Sequence, residues 1–329
     1  MKTALFWEPL KNKHVKCLLC PHNCTIADGK SGICKVRVNN SGVLYSTIYG
    51  EITGIALDPM EKKPLYHFFP GSFILSAGTN GCNLGCSFCQ NWQISQNPDS
   101  GRNKLSSDRM VEIALKEKAL GLAYTYNEPL IWIETVIETS RKAREAGLKN
   151  VLVTNGFINE EPFKDLLPLL DAVNIDLKSI REEFYKNECG GTLAPVKATI
   201  ELAVKACHVE LTNLIVTGRN DSEMEIKELV AYVASIDPEI PLHFSRYFPQ
   251  YKMEAERTPV ELLEFAAGIG ATKLKYVYTG NIHEKETNTT YCPKCKNMVI
   301  VRDGYKISRL DMLENKCKKC GNTITGVFK

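Results

Sequence analysis

Three cysteines fall within eight residues in the run Gly81-Cys82-Asn83-Leu84-Gly85-Cys86-Ser87-Phe88-Cys89-Gln90. Thiolates are the ligands of iron–sulfur clusters, and three of them suit three corners of a cubane. No fourth cysteine lies close in this run. One iron would then keep an open, Lewis-acidic face where a chelating substrate can bind. Gly81 and Gly85 let the backbone fold closely around a bulky cofactor. The alternatives are a zinc knuckle that borrows a ligand from elsewhere, or buried cysteines without metal. Zinc usually pairs cysteines at C-x2-C, and an x3-then-x2 triplet is less usual for it.

Thirteen cysteines in 329 residues are many, and eleven of them form three groups. A chain this long is not a small secreted disulfide scaffold, so clustered thiols point to metals. Cys292-Pro-Lys-Cys295 and Cys317-Lys-Lys-Cys320 are two C-x2-C knuckles separated by a hairpin-like stretch. Four thiolates suit tetrahedral zinc, with a rubredoxin-like iron as the lesser option. Cys17-x2-Cys20-x3-Cys24 with Cys34 offers four further ligands, for zinc or for an auxiliary iron–sulfur cluster. Cys189 and Cys207 stand apart and are read as small buried hydrophobes.

The elements that must position these residues alternate. Apolar runs predict strands over Ser72–Ala77, Leu122–Thr125, Asn150–Thr154, Ala172–Leu177, Glu210–Val216, Leu242–Arg246 and Leu274–Tyr278. Amphipathic stretches predict helices near Ser107–Ala119, Pro129–Ala146, Glu160–Leu170, Glu223–Ser235 and Pro259–Ile269, the second closed by Gly147. Such alternation implies an α/β fold with a parallel sheet, either a partial or a full (β/α) barrel. Chemistry in such barrels sits where strands end and loops begin. The triplet sits there, as do Asn127 and Glu128, Thr154 and Asn155, and Asp176 and Lys178. Three regions follow: residues 1–70, cysteine-rich and irregular; 71–290, the barrel; and 291–329, a zinc-ribbon-like module.

A net charge of +3 is too mild to argue for nucleic acid or membrane. Lys294, Lys296, Lys316, Lys318 and Lys319 lack interleaved aromatics and read as a solvated face. No apolar run approaches a membrane span, and Glu8 and Pro9 interrupt any signal-peptide core, so a cytoplasmic location is expected.

Cys82-x3-Cys86-x-Phe88-Cys89, with an aromatic before the last cysteine, resembles the motif of the radical S-adenosylmethionine (SAM) superfamily. The resemblance implies a 4Fe-4S cluster whose fourth iron is chelated by the amino and carboxylate groups of SAM. One electron then cleaves the sulfonium, and the 5′-deoxyadenosyl radical abstracts hydrogen. Tyr126-Asn127-Glu128-Pro129 resembles the superfamily's Gly-Gly-Glu-Pro without its glycines, and Glu128 would pair with the SAM ammonium. Its plainer role is a helix-start glutamate before Pro129. Thr154-Asn155-Gly156 and Asp176-Leu177-Lys178 resemble loops of the activating-enzyme branch that lie near the SAM carboxylate or a nearby cation, although a surface ion pair explains Asp176 and Lys178 as well. His243 matches a SAM-contacting histidine of that branch, with a hydrogen-bonded core histidine as the alternative.

Cys17-Leu-Leu-Cys20-Pro-His-Asn-Cys24, Gly32-Ile-Cys34-Lys-Val-Arg37 and Asp58 to His67 extend the likeness. Together the blocks resemble the AmmeMemoRadiSam system radical SAM enzymes, relatives of pyruvate formate-lyase activating enzyme. That resemblance implies a functional link to Memo-like and AMMECR1-like proteins, and an electron donor such as flavodoxin or ferredoxin. The expected function is an oxidoreductase or lyase-type radical SAM enzyme acting on a small molecule. An activase that installs a glycyl radical on a partner protein is the alternative, and a non-catalytic zinc-ribbon scaffold is the third reading.

Overall fold

The computed structural model describes residues 1–282 and 286–329. Its centre is one eight-stranded sheet whose strands follow one another in chain order. These are β1 (Gly54–Pro59), β2 (Phe73–Gly78), β3 (Gly121–Tyr124), β4 (Lys149–Thr154), β5 (Ala172–Asp176), β6 (His208–Ile215), β7 (Leu242–Arg246) and β8 (Val277–Gly280). From β2 to β8 every neighbouring pair is parallel, and β1 pairs antiparallel with β2. Parallel strands need long crossovers, and helices supply most of them. They are α1 (Ser107–Lys116), α2 (Ile133–Glu145), α3 (Glu160–Leu166), α4 (Leu193–Ala203), α5 (Glu223–Ile236) and α6 (Val260–Ala271). Ser106 and Ser222 cap α1 and α5 by accepting from Arg109 N and Glu225 N.

The two faces of the sheet differ. Leu75, Leu122, Leu152, Val173, Leu211 and Phe244 belong to the main core with the helices. On the other face, Ala123, Val151 and Ala172 pack on Met60, Leu65 and Phe68 from the segment after β1. Beyond that plug the second face turns polar. Asn174 is register partner of Glu210, Thr212 of His243, and His243 of Tyr278, so these side chains share one face across four strands. Buried polar residues at this density mark a place built for something other than packing.

Full closure of the barrel does not occur. β1 and β8 are the two edges of an open sheet. Beside β8, Tyr276 and Tyr278 share a small core with Tyr66 and with Val299, Ile300, Met312 and Ile324 of the C-terminal segment. Closure depends on strand tilt and stagger, which hydrophobic periodicity does not encode. Other expectations shift locally. Pro129–Trp132 forms a 3-10 turn before α2, and α3 passes into a 3-10 turn at Leu167–Leu169 because Pro168 has no N–H to continue it. The last strand begins at Val277 and not at Leu274, because Leu274 N closes α6 on Gly270 O.

The N-terminal region forms two small antiparallel sheets, Lys2–Thr3 with Val43–Ser46 and Arg37–Asn40, and Trp7–Pro9 with Val15–Cys17 and Thr25–Ile26. It is tied to α2 by a buried ion pair, Arg37 Nη1 to Glu134 Oε1 at 2.8 Å. Glu134 Oε1 also accepts from Leu5 N. Removing one partner of such a pair costs about 3–5 kcal/mol, because a buried charge is left behind. The C-terminal segment is a hairpin, Met298–Asp303 with Lys306–Leu310, flanked by the two cysteine knuckles. Among the described residues no helix is long and apolar enough to cross a membrane.

Candidate active site

The cysteine loop leaves the C-terminal end of β2 and is clamped from three sides. Asn127 Oδ1 accepts from Thr79 N at 3.0 Å, and its Nδ2 donates to Gly81 O at 3.0 Å. Gly81 adopts φ +90°, and a Cβ there would stand 2.9 Å from Cys34 O, so only glycine fits. Further along, Gly85 N donates to Cys189 O at 2.8 Å, and Ser87 N to Glu188 O at 2.9 Å. Those carbonyls belong to a π-helical turn, Tyr185–Cys189, a rare geometry that recurs at functional sites.

The sulfurs have polar surroundings. Cys82 Sγ accepts from Leu84 N at 3.3 Å and from Asn155 Nδ2 at 3.6 Å, and Cys89 Sγ lies 3.1 Å from Ser95 Oγ. The neighbouring thiol of Cys189 outweighs burial and holds the Cys86 pKa below the ordinary thiol value. Burial raises the pKa of Cys82 and Cys89. Burial also opposes the charge on Lys178, but Asp176 and the thiols of Cys86 and Cys189 outweigh it and hold its pKa well above the ordinary lysine value. Lys178 Nζ meets Asp176 Oδ2 at 2.9 Å. The two residues do pair, but beside the thiols and with Lys178 largely buried, not as the surface ion pair offered as the alternative.

Glu128 takes the helix-start role that sequence offered as its plainer reading. Its Oε1 accepts from Leu130 N at 2.9 Å and from Thr154 Oγ1 at 2.7 Å, and its Oε2 accepts from Asn155 N at 2.8 Å. Burial pushes its pKa up to about 7. The carboxylate thereby locks the ends of β3 and β4 together. Asn155, so held, donates to Asn83 Oδ1 at 2.9 Å inside the cysteine loop. Thus Asn127, Glu128, Thr154, Asn155 and Lys178 all converge on the triplet.

His243 lies elsewhere. Its Nε2 is 2.6 Å from Glu210 Oε2, and its ring packs against Tyr66 and Tyr278. It lines a cavity of about 540 Å³ together with Glu61, Tyr66, Ser245, Tyr305 and Gln90, the residue after Cys89. Glu61 is buried, and its Oε2 has no partner among the described residues. Below the cavity, Glu210 also accepts from His67 N at 2.6 Å and contacts His208 Nε2 at 2.9 Å. Burial raises the Glu210 pKa, but the two histidines outweigh it and hold the carboxyl well below its usual range.

His67 bonds Thr325 O through Nδ1 and Tyr278 Oη through Nε2, at 2.6 Å for the latter, as a neutral ring can. Burial lowers its pKa from 6.5 to about 4. A pKa depressed on folding means the unfolded chain binds the proton more readily between those values. The stability gained is complete above about 6.5 and is lost as pH falls toward 4, on the order of 3 kcal/mol in all. Urea unfolding at pH 7 and pH 4.5 should show that drop, and His67→Asn should flatten it. An unchanged slope in the variant would place the pH sensitivity elsewhere.

Residues 77–233 match the family described as the radical SAM superfamily. Uncharacterized protein MJ0808 of Methanocaldococcus jannaschii is 42% identical over 332 residues, 98% of this chain and 99% of the relative. The chain belongs to the radical SAM superfamily. A probable GTP 3′,8-cyclase of Thermococcus kodakarensis is 27% identical over 250 residues, covering 69% of this chain and 80% of that one. The crystal structure of Streptococcus suis SuiB bound to S-adenosylmethionine shares the fold, with TM-score 0.52 and 15% identity over 68% of this chain and 53% of SuiB. The protein is therefore a radical SAM enzyme, and membership implies a 4Fe-4S cluster and SAM.

Two further cysteine groups accompany this radical SAM core. Cys292, Cys295, Cys317 and Cys320 hold their sulfurs within 4.8 Å of one another, with Cys292–Cys320 at 3.6 Å and Cys295–Cys317 at 3.7 Å. Tetrahedral zinc with bonds of about 2.3 Å needs an edge of about 3.8 Å. Cys17, Cys20, Cys24 and Cys34 line one hollow in the N-terminal region. Burial there pushes Cys20 up to about 12 and Cys34 up to about 11.

Sequence reading missed Cys189, which lies against Cys86 from 103 residues away (189 − 86). It also missed Asn83, Glu61 and Glu210. Glu210 carried a usable signal, a carboxylate inside an apolar strand run; Cys189 carried none.

Proposed function

We propose that the chain cleaves SAM reductively at a 4Fe-4S cluster held by Cys82, Cys86 and Cys89, and acts on a small molecule in the cavity lined by His243. When bound, the cluster and SAM would supply a 5′-deoxyadenosyl radical for hydrogen abstraction. The donor set fits: three thiols in one loop, amide N–H groups on the Cys82 sulfur, and the Lys178 ammonium to offset negative charge. Asn127 and Asn155 fix the loop so that the thiols keep their places. Glu128 orients Asn155 and has one oxygen with acceptor capacity left for a cation such as the SAM ammonium. Asp176 keeps Lys178 charged. Burial of the surrounding loops excludes water, which a radical reaction requires.

The observation that carries the substrate reading is the cavity. It starts at Gln90, next to the last loop cysteine, and its 540 Å³ is in the range of small-molecule pockets, about 300–1,000 Å³. A glycyl-radical activase would need room for a peptide, so the small-molecule reading is preferred. The AmmeMemoRadiSam branch is the finer reading we favour; the blocks that carry that likeness contribute to the N-terminal hollow, the Arg37–Glu134 pair and the cavity wall at Glu61 and Tyr66. A one-electron donor of the flavodoxin or ferredoxin class would serve as partner. The C-terminal quartet is assigned a single structural ion, zinc by its spacing. Anaerobic reconstitution followed by reduction with SAM tests the activity: 5′-deoxyadenosine should form, and its absence from a protein carrying an intact cluster would refute the assignment.

A further inference from the structure

Cys17, Cys20, Cys24 and Cys34 are gathered by folding. Cys17 ends the strand Val15–Cys17, Cys20 and Cys24 lie in the turn after it, and Cys34 enters on a separate loop. All four line one hollow. Leu19, Ile26 and Ile131 form apolar wall, and Arg37 a charged one.

The chain holds its own standards for what such thiols bind. The C-terminal quartet keeps all sulfurs within 4.8 Å, as one tetrahedral ion demands. Among the described residues no three of the N-terminal sulfurs meet that spacing, and neither do the three of the central loop. A cluster places a separate iron under each sulfur, so its ligands stand farther apart than those of one ion. The N-terminal set therefore departs from the ribbon pattern, as the central set does.

The lining agrees. Arg37 is about 1% exposed and lines the hollow with its Nε unpartnered among the described residues, while Nη1 is bonded to Glu134 and Nη2 to Leu5 O. Donors of this kind steady cluster sulfurs and set their potential. The hollow also backs directly onto the central loop. His22 Nε2 lies 2.7 Å from Asn83 O, between Cys82 and Cys86, and its ring meets Phe157 edge-on at 5.1 Å.

We propose that Cys17, Cys20, Cys24 and Cys34 hold a second, four-iron iron–sulfur cluster beside the central one. All four of its corners are held by protein thiolates, so it offers no open iron and is not a second substrate site. The assignment goes beyond the function proposed above and rests on its reading of the central loop, and the sulfide counts below separate failure of the one from failure of the other.

Acid-labile sulfide decides, since zinc and single-iron sites carry none. The full chain reconstituted anaerobically should hold about eight sulfides and about one zinc. With Cys82→Ala, Cys86→Ala and Cys89→Ala combined, about four sulfides should remain, and with Cys20→Ser and Cys24→Ser combined about four should be lost. If the folded triple variant keeps no sulfide and binds a second zinc, the proposal is overturned while the central assignment stands. Should the triple variant not fold, the Cys20→Ser, Cys24→Ser variant decides: a loss of about four sulfides against wild type supports the second cluster, and an unchanged count removes it. If wild type holds about four and the triple variant keeps them all, the central assignment falls and this one survives.

Discussion

Cys86→Ala is expected to abolish 5′-deoxyadenosine formation while leaving the far-UV circular dichroism unchanged. Cys86 is buried in the loop after β2, and the loop's backbone is held by Asn127, Glu188 and Cys189, none of which needs the Cys86 sulfur to stay in place. Losing an outer partner of a metal ligand typically costs about 10–100-fold, so losing one of three ligands should exceed a hundredfold. Cys207 provides the control. It precedes β6, at the opposite end of the sheet from the triplet, and its thiol bonds Ala203 O at 3.7 Å. Cys207→Ala should leave cleavage within about twofold, as a change away from ligands and core networks does. Cleavage retained by Cys86→Ala would mean that the wrong thiols have been chosen.

The second large effect concerns the C-terminal quartet. Its segment has a core of a few residues, Val299, Ile300, Met312 and Ile324, closed against tyrosines of β8 and the post-β1 segment. So small a core does not hold a fold unaided. Metal binding in comparable modules contributes about 10–16 kcal/mol, more than such a unit's whole stability. Stripping the metal, or introducing Cys317→Ser, should unfold residues 291–329 while the sheet stays intact. Arg302 would then release Tyr66 O and Thr290 Oγ1, and Gly304 and Tyr305 would leave the cavity wall. Hydrogen exchange and limited proteolysis should show loss of protection confined to that segment and its contacts. Unaltered protection in metal-free protein would refute a structural ion there.

How much of this was legible before folding depends on the range of the signal. The seven parallel strands are apolar runs covered on at least one face, so composition alone reveals them. β1 is not such a run: Ile55, Ala56 and Leu57 are exposed, and Gly54 and Pro59 bound it, so it reads as loop. The triplet is a local pattern and was visible at once. Asn127, Glu128, Thr154 and Asn155 were visible as polar residues at strand ends, but their partners were not. That Glu128 spends its oxygens on Leu130, Thr154 and Asn155 depends on the register of β3 beside β4. His243 was found through its resemblance to a SAM-contacting histidine of the activating-enzyme branch; its hold on Glu210 comes from neighbouring strands. Cys189 approaches Cys86 only because a π-helical turn carries it there, and no spacing rule connects residues so far apart.

The most direct measurement is Mössbauer spectroscopy of the ⁵⁷Fe-reconstituted protein carrying Cys20→Ser and Cys24→Ser, with and without SAM. With three cysteines as ligands, one iron of the central cluster should be spectroscopically distinct, and its isomer shift should move when SAM binds. Four equivalent irons in both spectra would show every corner already held by the protein, and the radical chemistry proposed for this loop would have nowhere to begin.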